Sequence, residues 1–326
     1  MLEQVRSALR MAGVSDESTV QYAKLPGRMG LTGRIVLACF LDQSSVPAYV
    51  VKLARDGVTA TPMAREFDQL ASIHAAVFDT SVRNAIPKAP VFLSSPPLLV
   101  QTYVGGSPSF PQLNSRSWST TASKSLNWLF RFHASQKPLL VNFQERVRKD
   151  VSQAIDRISI ASSSNRIPGL DQPVAEALDR VEEECGASRA GEAALVIIHG
   201  DFNPFNLMLS RATPTGVVDW EDSRLDFPAF DYFNYFTSIE SLIANYGRRF
   251  DEVRRASLAL AQNTAAGLDD AATTALFGTF LLQQCAKYLE REALPRHNGW
   301  WLRKMTEYAR GRSSTAATGR CTPDLS

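Results

Sequence analysis

Apolar positions in this chain recur at two periods, and the switches between them outline the elements. Residues 2–12 set Val5, Leu9 and Met11 among polar neighbours, which predicts a helix. "RIVLACF" (34–40) and "AYVVKLA" (48–54) are short runs rich in apolar and β-branched residues. The turn cluster "DQSSVP" separates them, so they read as an antiparallel hairpin after a glycine-rich turn that begins at "YAKLPGRMG". In 61–78 the apolar residues fall at 63, 67, 70, 73 and 77, a helical spacing, with Thr61 and Pro62 suited to the N-cap and first turn. "APVFLSSPPLLVQTYV" gives two further strands around "SSPP", so the first hundred residues read β-β-α-β-β.

The Gly-, Pro- and Ser-rich stretch 105–118 reads as a link. Helices are predicted over 121–135, 143–159 and 174–185, with a loop at 161–173. "ALVIIHG" and "TGVVDW" are short strands, and the pattern from 228 to 310 is helical. The expected organisation is α+β: a small antiparallel-sheet lobe with one helix at 1–104, a larger, mainly helical lobe at 105–311, and a small, polar, disordered tail at 312–326.

Composition narrows the class. Of 326 residues, 44% are hydrophobic and 21% charged, which fits a globular chain with a substantial core. Acids and bases nearly balance, at a net charge of +2, so no basic stripe points to nucleic acid or to a membrane surface. The first twenty residues lack the apolar core of a signal peptide, and no run reaches the ~18 apolar residues of a spanning helix. Cys39, Cys185, Cys285 and Cys321 are scattered, which favours free thiols in a reducing compartment and makes a zinc site unexpected. The expected location is the cytoplasm; the oligomeric state is not legible.

The densest chemistry lies in "VIIHGDFNPFNLMLS" and the "VVDW" that follows. Gly200 and Pro204 prevent the apolar strand before them from continuing. "NLMLS" and "TGVVDW" flank the turn "RATPT" and form a hairpin, which brings Asp219 back beside Asp201 and Asn206. A polar turn with asparagines in left-handed positions is one reading of this loop. The other is a site. Mg²⁺ takes hard oxygen ligands, one or two carboxylates plus substrate phosphates, and Asn206 with Asp219 supplies such a pair. Asp201 then remains to orient a hydroxyl and accept its proton.

"HGDFNPFN" followed by "VVDWE" resembles the aminoglycoside phosphotransferase and choline kinase family, relatives of the protein kinases, which carries H-G-D-x-x-x-x-N and then an apolar-apolar-D-W/F/H segment. The resemblance extends over about residues 20–240. It implies a protein-kinase-like two-lobe fold and an ATP- and Mg²⁺-dependent kinase, with GTP an alternative donor, that phosphorylates a hydroxyl of a small molecule. In those terms Asp201 is the catalytic base, Asn206 and Asp219 are the metal ligands, and His199 supports the loop. Lys52, the only charge inside its strand, would hold the nucleotide phosphates. Glu66, on the same helical face as positions 63, 70, 73 and 77, would pair with it. Gly30, Thr32 and Gly33 stand where a phosphate-covering loop belongs, although they do not spell G-x-G-x-x-G. Gln101 to Tyr103 would lie against the base. Asp231 would brace the catalytic loop, and Glu221 and Asp222 would face a second metal or water. A kinase-like protein that binds nucleotide without catalysis is the alternative reading.

The acceptor is less legible. Between residues 232 and 310 there are eight acidic and ten basic residues, a balance that does not favour a polycationic aminoglycoside. A neutral sugar or an amino alcohol is as well matched as an antibiotic. Trp300 and Trp301 read as helix packing before ligand contact.

Overall fold

The structure is a computed structural model that describes residues 1–25, 34–54, 57–109, 118–164, 169–210, 213–243, 268–290 and 303–310. The chain divides into two compact units. One is Met1–Lys137 with Ile197–Leu225, the other Pro138–Val196 with Asp226–Ser326.

The first unit opens with α1 (Leu2–Met11), followed by β1 (Val20–Lys24), β2 (Arg34–Leu41) and β3 (Tyr49–Ala54). Then come α2 (Gly57–Ala76), the single turn α3 (Thr80–Arg83), β4 (Val91–Ser94) and β5 (Pro97–Thr102). The five strands form one antiparallel sheet in the order β1-β2-β3-β5-β4. Side chains alternate faces along each strand. Leu37, Cys39, Val51, Leu53, Leu98 and Val100 thus form one apolar face, packed with Val5, Ala8 and Leu9 of α1. The register sets Val36 opposite Lys52, Lys52 opposite Leu99 and Val50 opposite Gln101, so Lys52 and Gln101 share the other face. Helix α2 covers that face. Its buried stripe is Met63, Glu66, Leu70 and Ile73, and the buried Val77 follows just past its end.

The order of elements corrects the β-β-α-β-β reading. The segment expected to open a turn holds β1, an edge strand with only partial burial, and such strands show weak alternation. The small lobe also has more than one helix. Helix α3 is a single turn capped by Asp79, which accepts from the backbone N–H groups of Ser81 and Val82. Helix α2 starts at Gly57, not at Thr61, and holds Pro62 inside it; a proline this near a helix start forfeits one backbone bond without ending the helix.

The rest of the first unit builds the loop region. β6 (Ser107–Pro108), β9 (Leu207–Ser210) and β10 (Thr213–Val217) form a small sheet in the order β10-β9-β6, which includes the expected hairpin. Helix α4 (Trp118–Ala134) supplies Trp128 and Phe132, both buried.

The second unit is mainly helical: α5 (Phe143–Ser164), α6 (Asp171–Ala187), α7 (Ala229–Ile243) and α8 (Asp270–Glu290), with a further helical segment at 303–309. Within it β7 (Leu139–Asn142), which the sequence pattern did not reveal, pairs with the start of β8 (Glu192–Ile198). Helix α8 is buried along most of its length against α5 and α6, with Phe280 beside Phe230 and Phe233. Among the described residues no helix is long and apolar enough to cross a membrane. The tail 312–326 and the pair Trp300–Trp301 lie outside the described residues.

Candidate active site

Strand β8 ends at Ile198, and the next three residues turn its direction into a loop. Gly200 has φ +78°, and a Cβ there would collide with the backbone oxygen of Asp222, so the position requires glycine. His199 is fully buried. Its Nδ1 accepts from the backbone N–H of Asp201 at 3.2 Å, which leaves Nε2 to donate to the backbone oxygen of Val218 at 3.0 Å. One ring therefore bonds the residue before Asp219 and the backbone of Asp201. The ring packs 4.4 Å from that of Trp220, and Trp220, Phe132, Trp128 and Phe202 continue a column of buried aromatics beneath the loop. Each such ring pair contributes on the order of 1 kcal/mol beyond its burial.

Asn203 caps the short 3₁₀ turn Pro204–Asn206. Its Oδ1 accepts from the N–H of Phe205 at 2.9 Å, and its Nδ2 donates to the backbone oxygen of Asp201, also at 2.9 Å. Asn206 donates through Nδ2 to the backbone oxygen of Asp201 at 2.8 Å and to its carboxylate at 3.1 Å. Both N–H groups of Asn206 thus point to Asp201, and Oδ1 is the amide atom left for a cation. The backbone oxygen of Asn206 also accepts from Val218 N at 2.9 Å, which ties this loop to the strand end carrying Asp219.

Asp219 sits in the left-handed region, φ 70° and ψ 61°, a conformation rare outside glycine and costly enough to need support from its surroundings. Trp220 provides that support. It is fully buried, its indole N–H donates to Val217 O at 2.7 Å, and its backbone N–H donates to Glu66 Oε1 at 3.3 Å. Glu66, itself fully buried, accepts from Lys52 Nζ at both carboxylate oxygens, 2.8 and 2.7 Å away. Lys52 Nζ is also 3.2 Å from Asp219 Oδ1. Glu66, Lys52 and Asp219 form one chain of charge across three elements. Beside it, Arg34 is ion-paired to Glu221 and has a terminal nitrogen 4.0 Å from Asp219 Oδ1.

The titration behaviour follows from these neighbours. Burial alone would lower the affinity of Lys52 for its proton, but Glu66 and Asp219 outweigh it and hold the pKa well above the ordinary lysine value. Burial would raise Asp219, yet the positive charges of Lys52 and Arg34 hold its carboxyl below the usual carboxylate range. Glu221 moves the other way: burial and the negative charge of Asp219 push it up, against the pull of Arg34.

The structure brings Lys52, Glu66 and Asp219 together by direct bonds, and Asp201 with Asn206 by another set. Gln101 is buried on the Lys52 face of β5, opposite Val50. Tyr103 is half-buried and its backbone N–H donates to Ala48 O at 2.9 Å. Gly30, Thr32 and Gly33 lie outside the described residues. Asp231 is buried in the first turn of α7. Asn203 is the cap of the loop. Arg34 joins the site without a motif of its own. Its signal was its parity with Val36, which the hairpin register places opposite Lys52.

The model of a family described as the phosphotransferase enzyme family (APH) matches residues 32–277. No protein in the curated set matches the chain by sequence. Among solved structures, aminoglycoside phosphotransferase APH(4)-Ia superposes with a TM-score of 0.67 at 13% identity, over 95% of this chain and 99% of that one. A variant of that enzyme in ternary complex with AMP-PNP and hygromycin B also gives 0.67 at 13% identity, over 98% and 100%. Macrolide 2'-phosphotransferase MphH from Brachybacterium faecium gives 0.56 at 13% identity, over 98% and 100%. These likenesses bear out the expected kinase-like fold.

Proposed function

The chain belongs to the phosphotransferase enzyme family and is a small-molecule kinase, and from that premise we propose that it transfers the terminal phosphate of ATP, with Mg²⁺, to a hydroxyl of a small molecule. The observation that carries this reading is the charge chain Glu66–Lys52–Asp219, tied through Val218 to the loop that presents Asp201 and Asn206. Phosphoryl transfer asks little covalent chemistry of a protein; it asks for positioning and for charge to be neutralised. Lys52, held rigid by a buried carboxylate, is a fixed cation for phosphate oxygens. Asp201 is held through its backbone by His199, Asn203 and Asn206, and its carboxylate is the base that orients the acceptor hydroxyl and takes its proton. Gln101 to Tyr103 flank the nucleotide base.

The donor set fits a hard divalent cation. The Asp219 side chain is 39% exposed, and Asn206 keeps an amide oxygen for a ligand. These two residues would hold Mg²⁺, which supplies charge neutralisation at the phosphates. GTP is an alternative donor. Loss of Lys52, Asp201 or Asp219 would be the signature of a catalytically inactive relative, and all three are present.

Residues 1–104 serve as the nucleotide-binding lobe and 105–311 as the catalytic and acceptor lobe. The acceptor is a hydroxylated compound such as an aminoglycoside-like antibiotic, a sugar or an amino alcohol; hygromycin B in the complex of the related fold supports that class. Cys39, Cys185 and Cys285 are buried free thiols, which supports a cytoplasmic location. The test is a screen of hydroxylated antibiotics and metabolites for acceptor-dependent ADP formation, with Mg²⁺ and either ATP or GTP. Binding of nucleotide with no turnover across a broad panel would overturn the reading.

A further inference from the structure

The β2–β3 register sets Arg34 opposite Ala54 and Val36 opposite Lys52, so Arg34 and Lys52 project from the same face of the sheet. The Arg34 side chain is only 10% exposed. One terminal nitrogen pairs with Glu221 Oε2, the other is 4.0 Å from Asp219 Oδ1, and Nε is buried with no hydrogen-bond partner among the described residues. A guanidinium has five N–H donors in a planar fork, and a buried donor left unmade is costly. Lys52 contrasts with it. Its three N–H groups match its three near oxygens, two on Glu66 and one on Asp219. Arg34 thus keeps a buried donor that meets no partner among the described residues.

We propose that Arg34 is a second phosphate-contacting residue, which grips the terminal phosphate of the nucleoside triphosphate and gives up Glu221 to do so. This rests on the reading of Asp219 as a metal ligand: a metal held there would neutralise phosphate charge, and Arg34 has a terminal nitrogen 4.0 Å from Asp219 Oδ1. The forked guanidinium suits a tetrahedral oxyanion better than the point charge of a lysine. In the nucleotide-free chain Glu221 and Asp219 are its counter-ions. With a triphosphate present, phosphate oxygens replace Glu221, and the orphan Nε lies within the same fork.

The test is calorimetric binding of AMP-PNP and of ADP, with Mg²⁺, to the full chain and to Arg34→Ala, Arg34→Gln and Arg34→Lys. Loss of a charge-assisted contact predicts that Arg34→Ala weakens AMP-PNP about 10-fold or more while ADP changes by less than about 2-fold. Arg34→Lys restores part of the difference. Arg34→Gln keeps side-chain bulk and reports the same ratio if the alanine variant does not fold. Equal loss for both nucleotides, or no loss for either, overturns the assignment. A parent chain that binds neither nucleotide overturns the functional reading and this inference with it, whereas a parent that binds both, with variants unchanged, overturns this inference alone.

Discussion

Lys52 and Glu66 meet through both carboxylate oxygens, at 2.8 and 2.7 Å, with Glu66 fully buried. Removing one partner of such a pair leaves the other charge buried without compensation. Glu66→Ala is expected to destabilise the chain by about 3–5 kcal/mol, and Lys52→Met combined with Glu66→Ala by less than the sum of the two single changes. Urea unfolding of the three variants measures this; additive losses would mean that the pair carries no coupling.

Asp201 is the proposed base. Asp201→Asn is expected to lower turnover by about 10²–10⁴-fold while leaving nucleotide affinity nearly unchanged. Steady-state kinetics beside nucleotide binding separates the two effects. Unchanged turnover would remove Asp201 from its role.

Gly200 has φ +78°, with the Asp222 backbone oxygen where a Cβ would stand. Gly200→Ala must shift either the catalytic loop or the segment after Asp219. The cost is expected to be about 2 kcal/mol or more, accompanied by loss of turnover. A melting temperature and activity equal to those of the parent would show that the backbone relaxes without consequence.

Asp79 caps α3 and pairs with Arg131 at 2.6 Å. Hydrogen bonds from Ser81, then the Arg131 contact, lower its carboxyl from 3.8 to about 2. The folded chain therefore binds this proton less readily than the unfolded one. The stabilisation is complete above pH 3.8 and fades as pH falls towards about 2. Asp79→Ala is expected to cost about 1 kcal/mol near neutral pH, a typical cap loss. The gap between parent and variant in urea unfolding should narrow below pH 4. A gap that stays constant down to pH 2.5 would assign the effect to something other than this charge.

Chelation of divalent cations offers a further check on the proposed chemistry. EDTA is expected to abolish turnover, and added Mg²⁺ to restore it, if Asn206 and Asp219 hold the metal. Asp219→Asn should then raise the Mg²⁺ concentration needed for half-maximal activity.

Much of the site was legible because loop length and strand parity are local properties. A loop of fixed length between β8 and β9 brings Asn206 back to Asp201, and the β9–β10 hairpin returns Val218, the residue before Asp219, to the backbone oxygen of Asn206. The stripe 63, 66, 70, 73 and 77 put Glu66 on the buried side of α2, as the structure has it. The edges of elements were less legible. β1, β7 and α3 are short, and their stability comes from pairing and a capping side chain rather than from a pattern of their own.

The residue types and spacings by themselves determined the two strands, the covering helix and the oxygen donors, since these follow from periods of 2 and 3.6 and from turn chemistry. Only the tertiary structure decided which charges meet. Arg34 and Glu221 are 187 positions apart, and nothing in either segment announces the other. Their pairing follows from the register of β2 on β3 and from the left-handed backbone of Asp219 that starts the turn carrying Glu221. The same holds for His199, whose two nitrogens bond the backbones of Asp201 and Val218. Long-range pairing depends on how a whole core closes, a property that no single window of sequence contains.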